Sequence, residues 1–346
     1  TSPAILKTME NKKEFDFISI GDTVIDAFIK LSIGHIEESA HGRLLCVPYG
    51  AKVPFDEVYI LPAVGNSANA AVSASRLSLK AGIITSVGND DYGTLCIEQF
   101  TKENVAVDFI RREDGKKTNY HYVLWQGDDR TILIKHEEFT PSIPESIGSP
   151  KWMYLSSLGK HTLPFHFDII TYLENHPEVN FAFQPGTFQL AYGHEIVELY
   201  KKTTVVCMNK EEAEGLLNME GADMIQLLDG LETFGPKTVI ITDGPLGAYM
   251  KYENSYFNMP VYPDIAPPYE RTGAGDAFFS TFIAYMAKGY DATEAIKRAP
   301  INSMNVVQHI GAQEGLLSEE KIEEYLKNAP ESYKLTILEP TIKSKD

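Results

Sequence analysis

From Pro150 onward the chain alternates short apolar runs with longer mixed stretches, and this rhythm restricts the fold more than any other feature. The runs Trp152–Leu155, Asn180–Phe183, Thr204–Met208 and Thr238–Thr242 are of strand length, and each gap between them can hold a helix. Strands joined by helical crossovers pair in parallel, because each crossover returns the chain to the same end of the sheet. The expected fold is therefore α/β: a doubly wound, mostly parallel central sheet flanked by helices.

The first half both joins that sheet and leaves it. Phe15–Ile20 reads as a buried strand ending in Gly21-Asp22-Thr23. Asn66–Lys80 reads as a helix of small residues closed by Gly82, followed by a strand at Ile83–Val87 and a helix at Asp91–Glu103. Between Ala27 and Leu61 the pattern weakens. Tyr120–Trp125 and Thr131–Ile134 suggest antiparallel strands around Gly127-Asp128-Asp129. A small β lid is expected from segments at about 35–60 and 110–140, on a unit spanning 15–330 with tails at 1–14 and 331–346. Two last helices are expected at Asp276–Lys288 and Ala292–His309.

A net charge of −17 argues against nucleic-acid and anionic-membrane partners, which want basic surfaces. Cys46, Cys96 and Cys207 are widely separated and suit reduced thiols. No apolar run reaches membrane-spanning length, so a cytoplasmic protein is expected.

The strongest chemical signal is Glu270-Arg-Thr-Gly-Ala-Gly-Asp276, running into Ala277–Met286. Phe278, Phe279, Phe282, Ile283 and Met286 recur at helical spacing, so a buried helix begins at or near Asp276. A glycine turn before a helix leaves the first N–H groups unpaired, and the helix dipole makes them an anion site. Without β-carbons, phosphate oxygens can approach that backbone. A carboxylate beside it can take the proton of an alcohol attacking phosphorus, so positioning, charge stabilisation and a base come together. The local sequence also allows a plain tight turn with Asp276 as a helix cap. There is no GxxxxGK(S/T) loop, and a dinucleotide fingerprint starting at Gly273 would place Phe278 where a small residue is needed.

This segment resembles the second signature of the ribokinase-like (PfkB) carbohydrate kinase family, D-T-x-G-A-G-D. Glu270 and Arg271 replace its usual Asp-Thr, and Thr281 stands where the family prefers Gly or Ala. The resemblance implies an anion hole at Gly273, Ala274 and Gly275, Asp276 as general base, and ATP with Mg²⁺ as cofactor. Glu270 keeps a carboxylate where the family can hold a monovalent cation such as K⁺.

The resemblance runs in order over roughly residues 15–315. Gly21-Asp-Thr-Val-Ile-Asp26 is similar to the family's first strand and turn, which implies that Asp26 holds acceptor hydroxyls. Val64-Gly65-Asn66-Ser-Ala-Asn69 resembles GGxxxN with Val64 replacing the first Gly, implying that Gly65, Asn66 and Asn69 bind substrate. For Asn66 a helix cap is the plain alternative. Gly88–Gly93 matches a structural GxDxxG run. Asn209-Lys-Glu-Glu212 resembles N-x-x-E, implying that Glu212 acts through water on Mg²⁺; the same spacing fits a capping box. Thr242-Asp243-Gly244-Pro-Leu-Gly247 resembles the nucleotide loop T-x-G-x-x-G, and Gly311-Ala-Gln313 with Asn302 or Asn305 falls where adenine would lie.

The expected function is transfer of the γ-phosphoryl group of ATP to a hydroxyl of a small sugar, a pentose or hexose. A nucleoside is the alternative acceptor, because Tyr120, Tyr122 and Trp125 could stack on a base. Gln184-Pro-Gly-Thr187 stands where some sugar-selective members carry Asn-x-Arg. A non-catalytic nucleotide-binding protein is the rival from another class, and a nicotinamide-dependent dehydrogenase is weakened by the failed fingerprint. His161 and His166 lack metal spacing and are expected in core or surface roles. Lids of this kind sometimes pair between subunits, so a homodimer is the assembly to test.

Overall fold

The structure, a computed structural model, describes residues 14–39, 42–126, 129–269 and 271–339. Strands are numbered along the chain. The central sheet holds β1 (Phe17–Ile20), β6 (Ala81–Gly88), β7 (Ile110–Glu113), β10 (Trp152–Leu155), β11 (Asn180–Phe183), β12 (Val205–Asn209), β13 (Thr238–Thr242), β14 (Ala248–Tyr252), β15 (Ser255–Met259) and β16 (Thr336–Leu338). Its order is β16-β15-β14-β13-β12-β11-β10-β1-β6-β7, parallel from β7 to β13 and antiparallel from β13 to β16. A smaller sheet, β5-β2-β8-β9, is made of β2 (Val24–Leu31), β5 (Phe55–Val64), β8 (Asn119–Gln126) and β9 (Asp129–Leu133). β3 (His35–Ser39) and β4 (Gly42–Cys46) form a separate hairpin.

The parallel strands read as continuous apolar runs because helices cover both of their faces. β1, β6 and β10 are buried throughout. Alternate residues feed two cores. Phe17, Tyr154, Ala182 and Ile240 pack with Phe278, Phe279 and Phe282 of the Ala274–Ala287 helix. Ile18, Ile20, Met153 and Leu155 pack with Phe165 and Ile169 of the Leu163–Asn175 helix. The Ala274–Ala287 helix is buried from Asp276 to Tyr285, wedged against the sheet and the Asn66–Arg76 and Ala299–Val306 helices.

Strand order reverses at β1, with β6 on one side and β10 on the other. Loops leaving the carboxyl ends of neighbouring strands then diverge and open a crevice, the usual ligand position in such sheets.

Several boundaries depart from the sequence reading. The helix starting at Asn66 ends at Arg76 rather than Lys80, and Gly82 lies inside β6, where a β-carbon would press on Ile18 and Phe15. The expected Ala292–His309 helix is two, Ala292–Ala295 and Ala299–Val306, because Pro300 has no N–H and sits in a first turn. Residues 110–113, expected in the lid, belong to the central sheet as β7, whereas Val24–Leu31 joins the small sheet. Thr336–Leu338, expected within a tail, pairs with β15 at the sheet edge. Gly127-Asp128 of the expected turn, and most of both expected tails, lie outside the described residues.

Phe279 is fully buried, with its ring 5.2 Å from that of Tyr154. Phe279→Ala is expected to lower the unfolding free energy by about 3–5 kcal/mol, read from urea titration. A loss below about 1 kcal/mol would show that this helix is not the core element described.

Candidate active site

Gly273 caps the Ala274–Ala287 helix in the left-handed region (φ +79°), and a β-carbon there would collide with Ala312. The helix thus starts two residues earlier than expected, and Asp276 is its third residue. That placement removes the reading of Asp276 as a cap.

Instead the Asp276 carboxylate, 7% exposed, accepts hydrogen bonds from three amides. Asn66 Nδ2 donates to Oδ1 at 2.9 Å, Asn69 Nδ2 to Oδ2 at 2.8 Å, and Gln184 Nε2 to Oδ1 at 3.2 Å. Two of these amides are themselves held. Gln313 Nε2 donates to Asn69 Oδ1 (3.0 Å) and to the Ala63 carbonyl (2.7 Å), and the Tyr154 hydroxyl donates to Gln184 Oε1. An amide whose oxygen is already accepting must present its NH₂ to the carboxylate, so the orientation follows from the network.

Burial pushes the Asp276 carboxyl above its ordinary range, and the three donors pull it only part of the way back. A carboxylate with raised proton affinity is a stronger base, which is the property a general base requires.

Other expected residues lie on the elements that lead to it. Gly65 (φ +111°) turns the chain from β5 into the Asn66–Arg76 helix, and a β-carbon there would press on the Asp22 carbonyl. Asn66 is the first helical residue, and its side chain goes to Asp276 rather than to a cap. Asp26 lies within β2 beside Leu61 of β5, the strand that leads to Gly65 and Asn66. Its Oδ1 lies 3.3 Å from His121 Nδ1.

Asn209 ends β12 and forms a full capping box. Asn209 N–H donates to Glu212 Oε2 at 2.9 Å, and Glu212 N–H donates to Asn209 Oδ1 at 2.8 Å. Burial, with the neighbouring charges of Glu211 and Asp276, raises the Glu212 carboxyl against the Asn209 bond. Thr242 pairs with Asn209 at the end of β13. The Asp243–Gly247 turn closes through Asp243 N–H to the Gly247 carbonyl (2.8 Å), and Asp243 Oδ2 lies 3.7 Å from Lys210 Nζ.

Other expectations separate from the site. Asn302 is fully buried between Thr281 Oγ1 (2.8 Å) and Leu317 N–H (2.9 Å), which accounts for a hydroxyl at position 281. Asn305 Nδ2 holds the Gly315 carbonyl at 2.7 Å. Gln313 is locked onto Asn69, on the Asp276 side of the site rather than in a position free for adenine. Tyr120 packs at a tilt between Tyr92 and Tyr122 on one face of β8, whereas Trp125 lies on the other face against Tyr269, so the three rings cannot act together. Glu270 lies outside the described residues. His161 Nε2 meets the Phe139 carbonyl (2.7 Å), and buried His166 meets Thr162 through Nδ1 (2.9 Å). Tyr154, His121 and His136 were not identified as site residues from sequence, whereas Gln184 was noted only as standing in place of Asn-x-Arg and Gln313 only as an adenine neighbour. Single polar residues far apart in the chain carry no local pattern.

The arrangement suits a triphosphate with a divalent cation. A β-carbon on Gly275 would meet only Gln184 Nε2, at 3.8 Å, so the approach to the helix N-terminus is clear for an oxyanion. The mutually repelling carboxylates of Glu212 and Asp276 suit a nearby cation.

Comparison with known proteins finds relatives of one family and one fold. The model of the pfkB family carbohydrate kinases matches residues 62–319. Ribokinase of Bacillus subtilis (strain 168) is 24% identical over 270 residues, covering 76% of this chain and 87% of that protein. The nucleoside kinase of Methanocaldococcus jannaschii, a member of the ribokinase family, superposes with a TM-score of 0.72 at 16% identity, over 91% of this chain and 99% of that one. A putative ribokinase II from E. coli in complex with ATP and Mg²⁺ gives 0.73 at 19% identity, over 90% and 99%.

Carboxyl ¹³C titration of Asp276 is expected to give a midpoint above 3.8. Asn69→Leu removes one donor to the charged form and is expected to move that midpoint higher. A midpoint at or below 3.8, or a downward move in the variant, would contradict the described balance.

Proposed function

This chain belongs to the pfkB family of carbohydrate kinases, and we propose that it moves the γ-phosphoryl group of ATP onto a hydroxyl of a small sugar, a pentose or hexose, with Asp276 as general base. The observation that carries this reading is the three-amide cradle, which holds one buried carboxylate at the clear N-terminus of a helix.

In this reading the Asp276 carboxylate takes the proton of the acceptor hydroxyl, aimed by Asn66, Asn69 and Gln184. The N–H groups at Gly273–Gly275 stabilise charge on the transferring group. Asn209 and Glu212 would hold Mg²⁺ through water, and when bound that ion neutralises phosphate charge. Thr242, Asp243, Gly244 and Gly247 line the nucleotide, with Lys210 tethered to Asp243 beside them; Asn305 supports that side through Gly315. Asp26 and Gly65 face the acceptor. Residues 15–330 act as one kinase unit, and the small sheet with the β3–β4 hairpin acts as the lid that excludes water. The nucleoside alternative loses the support of Tyr120 and Tyr122, which pack away from Trp125. The free cysteines suit a cytoplasmic setting. Val58, Ile60, Tyr122 and Leu133 are exposed on the outward face of the small sheet, and we assign a second copy of the chain to that face.

Asp276→Asn is expected to lower kcat by on the order of 10²-fold or more while ATP still binds by calorimetry. Near-normal turnover would remove the base assignment, and ATP binding without turnover of any acceptor by the unaltered protein would favour a regulatory role. Gly275→Ala is expected to leave stability within about 1 kcal/mol, as its conformation and space allow, yet weaken ATP binding. Ile60→Glu is expected to give a monomer in sedimentation; an unaltered protein that is already monomeric would rule out the second copy.

A further inference from the structure

Asp26, placed above beside the acceptor, begins a row of four titratable side chains, and the other three have no role in the reaction described so far. Asp26 Oδ1 lies 3.3 Å from His121 Nδ1, the His121 ring meets that of His136 edge-on with centroids 5.1 Å apart, and His136 Nδ1 lies 3.4 Å from Asp22 Oδ2. The four side chains are only 13–28% exposed. Asp22 follows the carboxyl end of β1, and its carbonyl meets Ser67 Oγ at 3.3 Å, next to Asn66. A β-carbon on Gly159, in the loop after β10, would lie 3.8 Å from Asp22 Oδ2. The row thus links the crevice loops of β1 and β10 to the lid strands β2 and β8.

Three atoms of this row are buried without a hydrogen bond among the described residues: Asp26 Oδ1 and His136 Nδ1, which have only the ion-pair contacts just given, and His121 Nε2. Buried polar atoms are ordinarily bonded, so three together point to a ligand that supplies the bonds. A hydroxyl can donate to a carboxylate or an imidazole nitrogen and can also accept from an imidazole N–H, so sugar hydroxyls suit all three. The charge of the row is equally informative. Two carboxylates and two imidazoles sum to zero at most and to −2 when both rings are neutral, so no ordinary state is positive for an anionic acceptor. On the same face of the small sheet, Lys30 lies four residues along β2 from Asp26, over the Trp125 ring at 5.5 Å.

We propose that this row selects an uncharged polyhydroxyl acceptor over a sugar acid or sugar phosphate, with His121 and His136 as specificity-determining residues. The proposal rests on the placement of the acceptor beside Asp26. It is tested with matched pairs, ribose against ribose 5-phosphate, fructose against fructose 6-phosphate, and glucose against gluconate. ADP release and imidazole NMR signals are both read, the signals assigned through His121→Gln and His136→Gln.

Uncharged acceptors are expected to exceed their charged partners by at least roughly ten-fold in kcat/KM and to shift both ring signals. Each Gln variant is expected to raise the acceptor KM about ten-fold, with little change in ATP KM. Preference for a charged acceptor, variants that leave acceptor KM unaltered, or acceptors that shift neither ring in the unaltered protein would each overturn the proposal. Ring shifts by uncharged acceptors without ADP release would uphold the row and remove the phosphotransferase reading instead.

Discussion

A carboxylate sealed at the start of a buried helix is the constraint around which the rest of this molecule is arranged. Taking an ionised carboxylate out of water costs far more than one hydrogen bond returns, so several groups must converge for Asp276 to keep its charge. They come from the helix after β5, from the end of β11 and, through Gln313, from the loop after the Ala299–Val306 helix. The donors do not cancel the burial, and the folded-state affinity for a proton stays above the unfolded one. The protonated form therefore adds stability at low pH that is lost as pH rises through the folded value, leaving a local cost at neutral pH. Such a cost is common where a site is shaped for chemistry rather than for stability.

The two glycines of the turn before Asp276 answer to different constraints. Gly273 is fixed by its left-handed backbone and by Ala312 behind it, so it serves the fold whatever binds in front. Gly275 has an ordinary conformation and nearly open space, so nothing within the protein demands a glycine there. A residue that packing does not require, at the mouth of a helix N-terminus, is explained by what approaches from outside. The proposed phosphate approach therefore bears on the identity of Gly275, while the fold alone accounts for that of Gly273.

What the sequence made legible were the features with a period or a local signature. The parallel strands from β10 to β13 were readable because burial on both faces leaves continuous apolar runs, and the helix after Gly275 because its phenylalanines repeat at helical spacing. The antiparallel extension β14–β16 was not, since β14 and β15 do not alternate buried with exposed residues and β16 is a three-residue strand supplied from far along the chain. Asp276, Asn66 and Asn69 could be found through a motif. Tyr154, and the bonds made by Gln184 and Gln313, could not, because they decide which end of an amide faces the carboxylate, and that exists only once distant segments meet.

The capping box at Asn209 has a structural role with which the proposed cofactor role is compatible. Its reciprocal bonds start the Lys210–Leu217 helix and also commit one oxygen of Glu212 to the backbone, which fixes where the carboxylate stands. Glu212 is then close enough to Asp276 for their charges to oppose each other in a partly desolvated setting. Neither group has a cation against it among the described residues, and the nearby Lys210 is turned toward Asp243. A cation held near Glu212 would relieve that opposition and lower the proton affinity of both carboxylates. Cap geometry and charge placement therefore act in sequence: the first positions the carboxylate, and the second makes a bound cation favourable.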